Sequence, residues 1–597
     1  MESFRKRLVE EGFEVNVYEQ ENFETAKFDV GTFRKNYDLV IYIGNVENAS
    51  NKVTNRLSWY TFWGNGNNVP WFAAERPVVF ISLANPYHLV DVPMIKTFIN
   101  GYSNSEYVID SVMEKLMGRS NFTGKSPVDP FCGKEYIKWQ SDKMTLKKND
   151  IVNLTITSAT AEGSGVGRTD DGIAVFVQGS AIGDELKVRI LKVKKTYAFG
   201  KIEEILVPSK ARITPDCENF MKCGGCTWRH ISYEEECKIK QQRVEDAVTR
   251  IGGLDNVVFK PIISSDNITR YRNKAQYPVG LDRDGNVVTG FYSFHSHRII
   301  NCTDCILQPE IFARVIEITK DFIAKTNTEI YDETTGKGRL RHIYIRIGEV
   351  SGELMVCYVV NANGLKQEDL LVKMLKSELP QLKSVIINSN REKTNVVLGR
   401  KNRTIYGSDH ITDTLCGLQF KISPFSFWQI NSKQAEKLYG KAKEYANLKS
   451  DEILLDLYCG TGTIGLTMAD SCKQLTGAEI VEDAVKDANE NAKANGIENA
   501  RFICGDASDA AFQLEKEGLK PDCVILDPPR KGCGEELVKT ISRMSPSRVV
   551  YVSCDPATLA RDLKFFTENG YTPKEITPCD MFSGTSHVES VALIERN

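Results

Sequence analysis

Apolar and polar positions follow two rhythms along this chain, and the places where one gives way to the other mark its elements. Near the C-terminus Val549-Val550-Tyr551-Val552 is an unbroken apolar, β-branched run, the pattern of a strand buried on both faces. It breaks at Ser553-Cys554-Asp555-Pro556, and apolar residues return with helical spacing from Ala557. The proline suits a first helical turn, where its missing N–H is not needed. Three earlier strand-like runs, in residues 454–457, 475–478 and 523–526, also stop at a glycine turn or an acidic residue, and a further one ends near Asp506. Repeated strand, turn and helix predict an open, doubly wound α/β sheet. Between Lys147 and about Val207 the signal changes to short strands, at 151–156, 173–177 and 186–190, with glycine turns at 163–167 and 183–184. That spacing predicts a small barrel. A helix is expected over 233–251, and 258–425 reads as an irregular α+β region. Residues 1–131 alternate strands, at 39–43 and 78–83, with a helix at 107–116. The expected organisation is an α/β domain (1–131), a polar linker (132–145), a barrel (146–207), a central region (208–425) and a doubly wound domain (426–597).

Bulk properties narrow the class. Of 597 residues 41% are hydrophobic and 26% charged, ordinary for a globular protein of several domains. No apolar run is long enough to cross a membrane, and residues 1–20 hold no signal-peptide core. We expect a cytoplasmic monomer. Its sixteen cysteines then read as reduced thiols and metal ligands rather than disulfides. The net charge is −3, so any nucleic-acid surface must be local. Lys187, Arg189, Lys192, Lys194, Lys195 and Lys201, interleaved with Tyr197 and Phe199, are the best candidate: cations neutralise phosphates and aromatic rings stack on bases.

Chemistry concentrates at the strand ends. Cys554 should sit at the carboxyl end of one strand and the amino end of a helix, the crevice where such sheets bind ligands. A helix amino terminus lowers a thiol's pKa. In Asp456-Leu457-Tyr458-Cys459-Gly460-Thr461-Gly462 the glycines let backbone approach a nucleotide, which a dinucleotide would also use. Asp456 ahead of the turn and Glu479 at the next strand end favour S-adenosylmethionine, with Glu479 on the ribose hydroxyls and Asp506 near the adenine. Upstream, Cys217-x5-Cys223-Gly224-Gly225-Cys226 is followed much later by Cys302-x2-Cys305. Four soft thiolates suit zinc, through the pairs Cys223/Cys226 and Cys302/Cys305, or an iron–sulfur cluster.

The stretch Ser553-Cys554-Asp555-Pro556-Ala557-Thr558-Leu559-Ala560-Arg561-Asp562-Leu563 resembles the nucleophile motif of the RNA (uracil-5-)-methyltransferases, and the likeness runs from about Met144 to the C-terminus. It implies a Rossmann-like, S-adenosylmethionine-dependent enzyme in which the Cys554 thiolate adds to C6 of uracil and makes C5 nucleophilic. Ser586-His587-Val588-Glu589-Ser590 resembles the family's base segment, with Glu589 as proton acceptor. By the same resemblance Gln429, in the aromatic loop 423–431, contacts the donor together with Tyr458, Glu479, Asp506 and Asp527. Asp527-Pro528-Pro529 is followed by Arg530 where amino-methylating enzymes carry an aromatic residue, which favours a carbon target. Cys217, Cys223, Cys226 and Cys305 resemble the ligands of a [4Fe–4S] cluster, leaving Cys302 as a bystander.

Residues 147–207 look like a TRAM domain, an OB-like RNA-binding module. Barrel and cysteines together imply the branch acting on 23S ribosomal RNA, and Arg270–Lys274 and Arg339–His342 resemble segments near the RNA. Rival readings are a transfer-RNA uridine as target, a dinucleotide oxidoreductase, or a non-catalytic ribosome-assembly factor. The last predicts that Cys554→Ala leaves function intact. Residues 80–87 and 118–128 resemble the C-terminal domain of bacterial β-N-acetylhexosaminidases, without the barrel that carries their catalytic groups. This suggests a fusion, with Met144 near the start of the enzyme proper.

Overall fold

A computed structural model describes residues 2–17, 35–44, 76–83, 95, 97–121, 146–194 and 196–597. Segments 84–87 and 122–128, the linker 132–145 with Met144, and Lys195 lie outside the described residues. The chain divides into two units, residues 1–148 with 193–196, and residues 149–192 with 197–597.

In the first unit the apolar run at 78–82 becomes the middle strand of a parallel sheet. Strands β1 (Val40–Gly44), β2 (Val78–Ser82) and β3 (Thr97–Asn100) lie in that order, and every residue of β2 is buried. Helices α1 (Glu2–Glu10) and α2 (Glu106–Leu116) cover one face, where Phe4, Leu8, Ile109 and Val112 meet Ile81 and Ile99. Phe80 on the opposite face stacks on Phe98. A strand covered on both sides must be apolar throughout, which is why this one was legible.

The second unit opens with a closed five-stranded barrel of β4 (Ile151–Ala159), β5 (Gly165–Arg168), β6 (Ala174–Val177), β7 (Glu185–Val193) and β8 (Tyr197–Val207). Leu186, Val188 and Ile190 point inward, so Lys187 and Arg189 point out. The barrel closes through Gly200, where an added Cβ would lie 2.2 Å from Val188 Cγ1. The expected basic face is partly neutralised: Arg189 is bidentate to Glu203 at 2.8 Å, and Lys187 lies 3.6 Å from Glu204. The aromatic expectation fares better. Phe176, Tyr197 and Phe199 cluster on the outer surface with ring centroids 5.2 to 5.7 Å apart.

After helix α3 (Tyr233–Arg250) and β9 (Val258–Phe259) comes a seven-stranded sheet. Its order is β12-β11-β10-β13-β14-β15-β16: β10 (Lys274–Leu281), β11 (Val287–Tyr292), β12 (Ile299–Asn301), β13 (Leu340–Ile347), β14 (Leu354–Val360), β15 (Leu382–Ser389) and β16 (Lys401–Gly407). One face packs on helices α4 (Glu310–Thr326) and α5 (Glu368–Glu378). Tyr344, Met355 and Cys357 on the other join the core of the C-terminal domain. Of the segments expected near RNA, Arg341 and His342 are buried, while Arg270, Arg272, Lys274 and Arg339 stay partly exposed. Arg341 is buried and donates to the carbonyls of Asn390 and Glu392, beneath Tyr331. Arg346, fully buried, holds the carbonyls of Ser423 and Ser426.

A hairpin of β17 (Ile411–Leu415) and β18 (Leu418–Ile422) and helix α6 (Ser432–Ala446) lead into the last sheet. Its order is β21-β20-β19-β22-β23-β25-β24-β9, from β19 (Ile453–Leu457), β20 (Gln474–Glu479), β21 (Ala500–Cys504), β22 (Cys523–Leu526), β23 (Arg548–Ser553), β24 (Tyr571–Cys579) and β25 (Glu589–Arg596). Strands β19 to β23 are parallel and β25 runs antiparallel beside β23. The order reverses at β19, so the crevice opens at its carboxyl end, as expected for a doubly wound sheet.

Candidate active site

Side chains converge on that crevice because each strand stops there. Strand β23 delivers Cys554, and helix α7 (Pro556–Glu568) starts two residues later with its proline in the first turn. Asp555 caps the helix, accepting from the backbone of Ala557 at 3.0 Å and Thr558 at 2.9 Å. Across the antiparallel pair Ser590 faces Ser553, so Glu589 reaches the same edge. Glu589 is buried, not an exposed strand residue, and Cys554 is half-buried. Asp527 and Arg530, on the turn after β22, complete the group.

The electrostatics run against one expectation. Burial, then the Glu589 and Asp527 carboxylates, push the Cys554 thiol up to about 11, with Arg530 opposing. Burial and the two acids thus act in the direction opposite to the lowering expected from the helix terminus. Burial and Asp527 raise Glu589 to about 8. Burial raises Asp527 to about 7. Asp456, at the end of β19, is raised to about 8, chiefly by burial, with Asp527 and Glu479 adding to it. Its Oδ2 accepts from Gly465 N at 2.9 Å, while its buried Oδ1 has no partner. An added Cβ on Gly465 would come within 2.7 Å of that carboxylate, so the position admits only glycine without displacement.

Nucleotide-binding features lie beside it. Tyr458, Gly460 and Gly462 all have positive φ, at 66°, 55° and 81°, and nothing lies within 4 Å of a Cβ built on Gly460. Glu479 receives the backbone N–H groups of Gly460 at 3.1 Å and Val481 at 2.9 Å. Asp506 is exposed and caps the next helix through Ser508 N at 2.9 Å. Tyr458, half-buried, lies near Asp506 and Cys533. Gln429 lies near the group through Tyr439, a buried phenol beside Gln429, Thr463 and Asp527. In the same loop Trp428 is core, packed 5.4 Å from Phe420, while Phe425 and Phe427 are 50% and 64% exposed.

Sequence reasoning missed Arg530 as the cation of the site, and the frame around Glu589. Lys240, completely buried, lies 2.6 Å from both Glu236 and Asp580, and Tyr233 donates to Asp580 at 2.8 Å. Read along the helix, Glu236 and Lys240 look like an ordinary solvated i,i+4 pair. Only the arrival of Asp580 from the far end of the chain makes them interior.

The five cysteines upstream are neighbours. Cys223 feels Cys305 and Cys217, and Cys226 feels Cys305 and Cys223. Cys302, buried beside Cys305, donates to the Asp304 carbonyl at 3.4 Å. Arg270, in a segment expected near RNA, pairs with Asp304 and donates to the carbonyls of Cys305 and Gln308 at 3.2 and 2.9 Å. Among the described residues no group of three or more His, Cys, Asp or Glu is gathered as around a single metal ion. Neighbouring cysteine thiols are soft donors, a type that zinc and iron–sulfur sites both use.

Comparison with known proteins agrees with this geometry. The tRNA (Uracil-5-)-methyltransferase family matches residues 348–597, and the TRAM domain matches residues 146–202. An uncharacterized RNA methyltransferase of Clostridium tetani is 43% identical over 449 residues, 75% of this chain and 97% of that protein. Another, from Halalkalibacterium halodurans, is 42% identical over 450 residues, 75% of this chain and 98% of that protein. The solved structure of Pyrococcus abyssi tRNA (uracil-54, C5)-methyltransferase with S-adenosyl-L-homocysteine matches with a TM-score of 0.60 and 28% identity, covering 74% of this chain and all of that one (100%).

The raised carboxylates make a testable demand on the donor. Asp456, Asp527 and Glu589 lose their protons between about 7 and about 8. A positively charged ligand favours the ionised forms, so its affinity should rise with pH until they are ionised, by up to about tenfold per pH unit for each linked proton. Titration calorimetry from pH 6 to 9 should show S-adenosylmethionine tightening steeply and S-adenosylhomocysteine, which lacks the sulfonium charge, much less. Parallel pH profiles would contradict the assignment.

Proposed function

The chain belongs to the tRNA (uracil-5-)-methyltransferase family of S-adenosylmethionine-dependent RNA methyltransferases, and from that premise we propose that it methylates C5 of a uridine in 23S ribosomal RNA through a covalent Cys554–C6 adduct. The observation that carries this reading is that Cys554 and Glu589 flank the Ser553–Ser590 register pair of adjacent strands, both facing Asp527 and Arg530. A thiol and an acid on opposite sides of one small space are what addition and elimination across a C5=C6 bond require.

When bound, S-adenosylmethionine supplies an electrophilic methyl group on a cationic sulfur. Gln429, Tyr458, Glu479, Asp506 and Asp527 are its proposed contacts, and the unpartnered Asp456 Oδ1 marks where positive charge is wanted. The Cys554 thiol must lose its proton to act, and Arg530 is the protein group that favours the thiolate. The thiolate adds to C6, and the electron pair of the former double bond gives C5 its nucleophilic character. After methyl transfer, Glu589 takes the C5 proton. The C–H pair then rebuilds the C5=C6 bond and expels the Cys554 thiolate. A carboxyl poised at about 8 lies near the working pH, where a general base is most effective. The target base must be unstacked to reach this depth, and exposed Phe425 and Phe427 offer ring faces to it.

Ribosomal RNA is favoured by the barrel, with its aromatic cluster, and by the cysteine segment, neither of which the chemistry itself needs. In the second segment Cys217, Cys223, Cys226 and Cys305 are proposed to hold a [4Fe–4S] cluster. A transfer-RNA uridine is the second reading, because the Pyrococcus abyssi structure is of a tRNA (uracil-54, C5)-methyltransferase.

With RNA and donor present, Cys554→Ala should abolish methyl transfer while donor binding persists, and Glu589→Gln should leave a protein–RNA adduct that survives a denaturing gel. Methylation by Cys554→Ala would remove covalent catalysis. Anaerobically purified protein should carry about four irons per chain, and Cys226→Ser should lose them. An iron-free, zinc-bearing protein would replace the cluster with the paired-cysteine site.

A further inference from the structure

The loop 580–588, which leads from β24 to Glu589, is held by a stretch of chain that takes no part in the chemistry. Thr227 N and Trp228 N, just past the cysteine triplet, donate to Gly584 O at 2.8 and 3.0 Å. Glu236 accepts from Gly584 N at 2.8 Å. Lys240 and Tyr233 fix Asp580, and Tyr271 donates to Ser583 O at 2.9 Å. Arg243, one helical turn beyond Lys240 on α3, donates to Ser586 O at 2.6 Å, three residues before Glu589. Its guanidinium also reaches Ala161 O, at 3.3 Å, on the turn between β4 and β5 of the barrel. The acids that face it are Asp555, beside Cys554, and Glu162. Arg243 therefore touches the barrel and the loop that ends in the acid, and faces the cap next to the thiol.

We propose that Arg243 is a positioning residue for the release half of the reaction: it fixes Ser586, and through it Glu589, and ties that alignment to the barrel. The inference rests on the reading of Glu589 as the base. Addition of Cys554 to C6 and methyl transfer to C5 need only the thiol and the donor. Removal of the C5 proton needs the carboxylate within reach of one hydrogen, and misplacement there slows elimination without preventing adduct formation. General-base assistance is worth about a hundredfold or more, so partial misalignment should slow release by about tenfold.

The test compares native protein with Arg243→Ala and Arg243→Lys in single-turnover reactions, using S-adenosylmethionine with unmodified RNA and with 5-fluorouridine RNA, which forms an adduct but has no C5 proton to lose. Denaturing gels and recovery of free methylated RNA separate the steps. On 5-fluorouridine RNA we expect Arg243→Ala to form adduct at a rate within about twofold of native. On unmodified RNA it should accumulate adduct and release product about tenfold more slowly, with Arg243→Lys restoring release. Loss of adduct formation on 5-fluorouridine RNA in step with release would overturn the proposal, making Arg243 a general RNA or folding contact. Native-like release by Arg243→Ala would overturn it too. If native protein forms no adduct on 5-fluorouridine RNA, the covalent reading itself fails, a result distinct from either.

Discussion

Acids gathered by burial around one thiol, and opposed there by Arg530, are the constraint on which this molecule turns. Asp456, Asp527 and Glu589 sit at the ends of neighbouring strands, each raised by burial, with Arg530 the cation that opposes at Cys554 and Glu589. Buried carboxylates that lack a partner either hold their protons or wait for a charge from outside. A sulfonium supplies that charge, and the same field that attracts it restrains Cys554 from ionising too soon. Burial, and then the acids around it, hold the thiol protonated.

Such a site needs walls that do not relax, and here they come from far along the chain. The sheet that holds Cys554 and Glu589 takes its outermost strand, β9, from residues 258–259. Helix α3 supplies the Lys240–Glu236–Asp580 network. A buried ion group of this kind contributes little net stability, since desolvation offsets attraction, but removing one member leaves a charge stranded. Its value is geometric, because it allows one place for Asp580 and so for the loop that follows. The central sheet does the same on the donor side, where Arg346 and Asn273 hold the loop bearing Gln429 through its carbonyls.

Much of this was legible in the order of residues. Strands β2, β19, β22 and β23 are apolar because both faces are covered, and their ends are chemical because that is where the crevice opens. The barrel showed in its short strands and glycine turns. What stayed hidden depends on distant encounters. Arg270 and Arg341 read as a basic surface, yet one braces the Cys302–Cys305 turn and the other sits inside the sheet. Lys187 and Arg189 read as free charge until β8 brought Glu204 and Glu203 across from them. Cys554 read as activated, because a one-dimensional pattern shows its helix but not Glu589 or Asp527. Local periodicity reports burial well; it does not report the partner.

The most direct test is to incubate the protein with S-adenosylmethionine and unmodified ribosomal and transfer RNAs, then locate new 5-methyluridine by nuclease digestion and mass spectrometry. The account predicts 5-methyluridine in 23S ribosomal RNA and none in transfer RNA. A methyl found only in transfer RNA would contradict the role given to the barrel and cysteines, and no methyl in either, with donor bound, would contradict the enzyme itself.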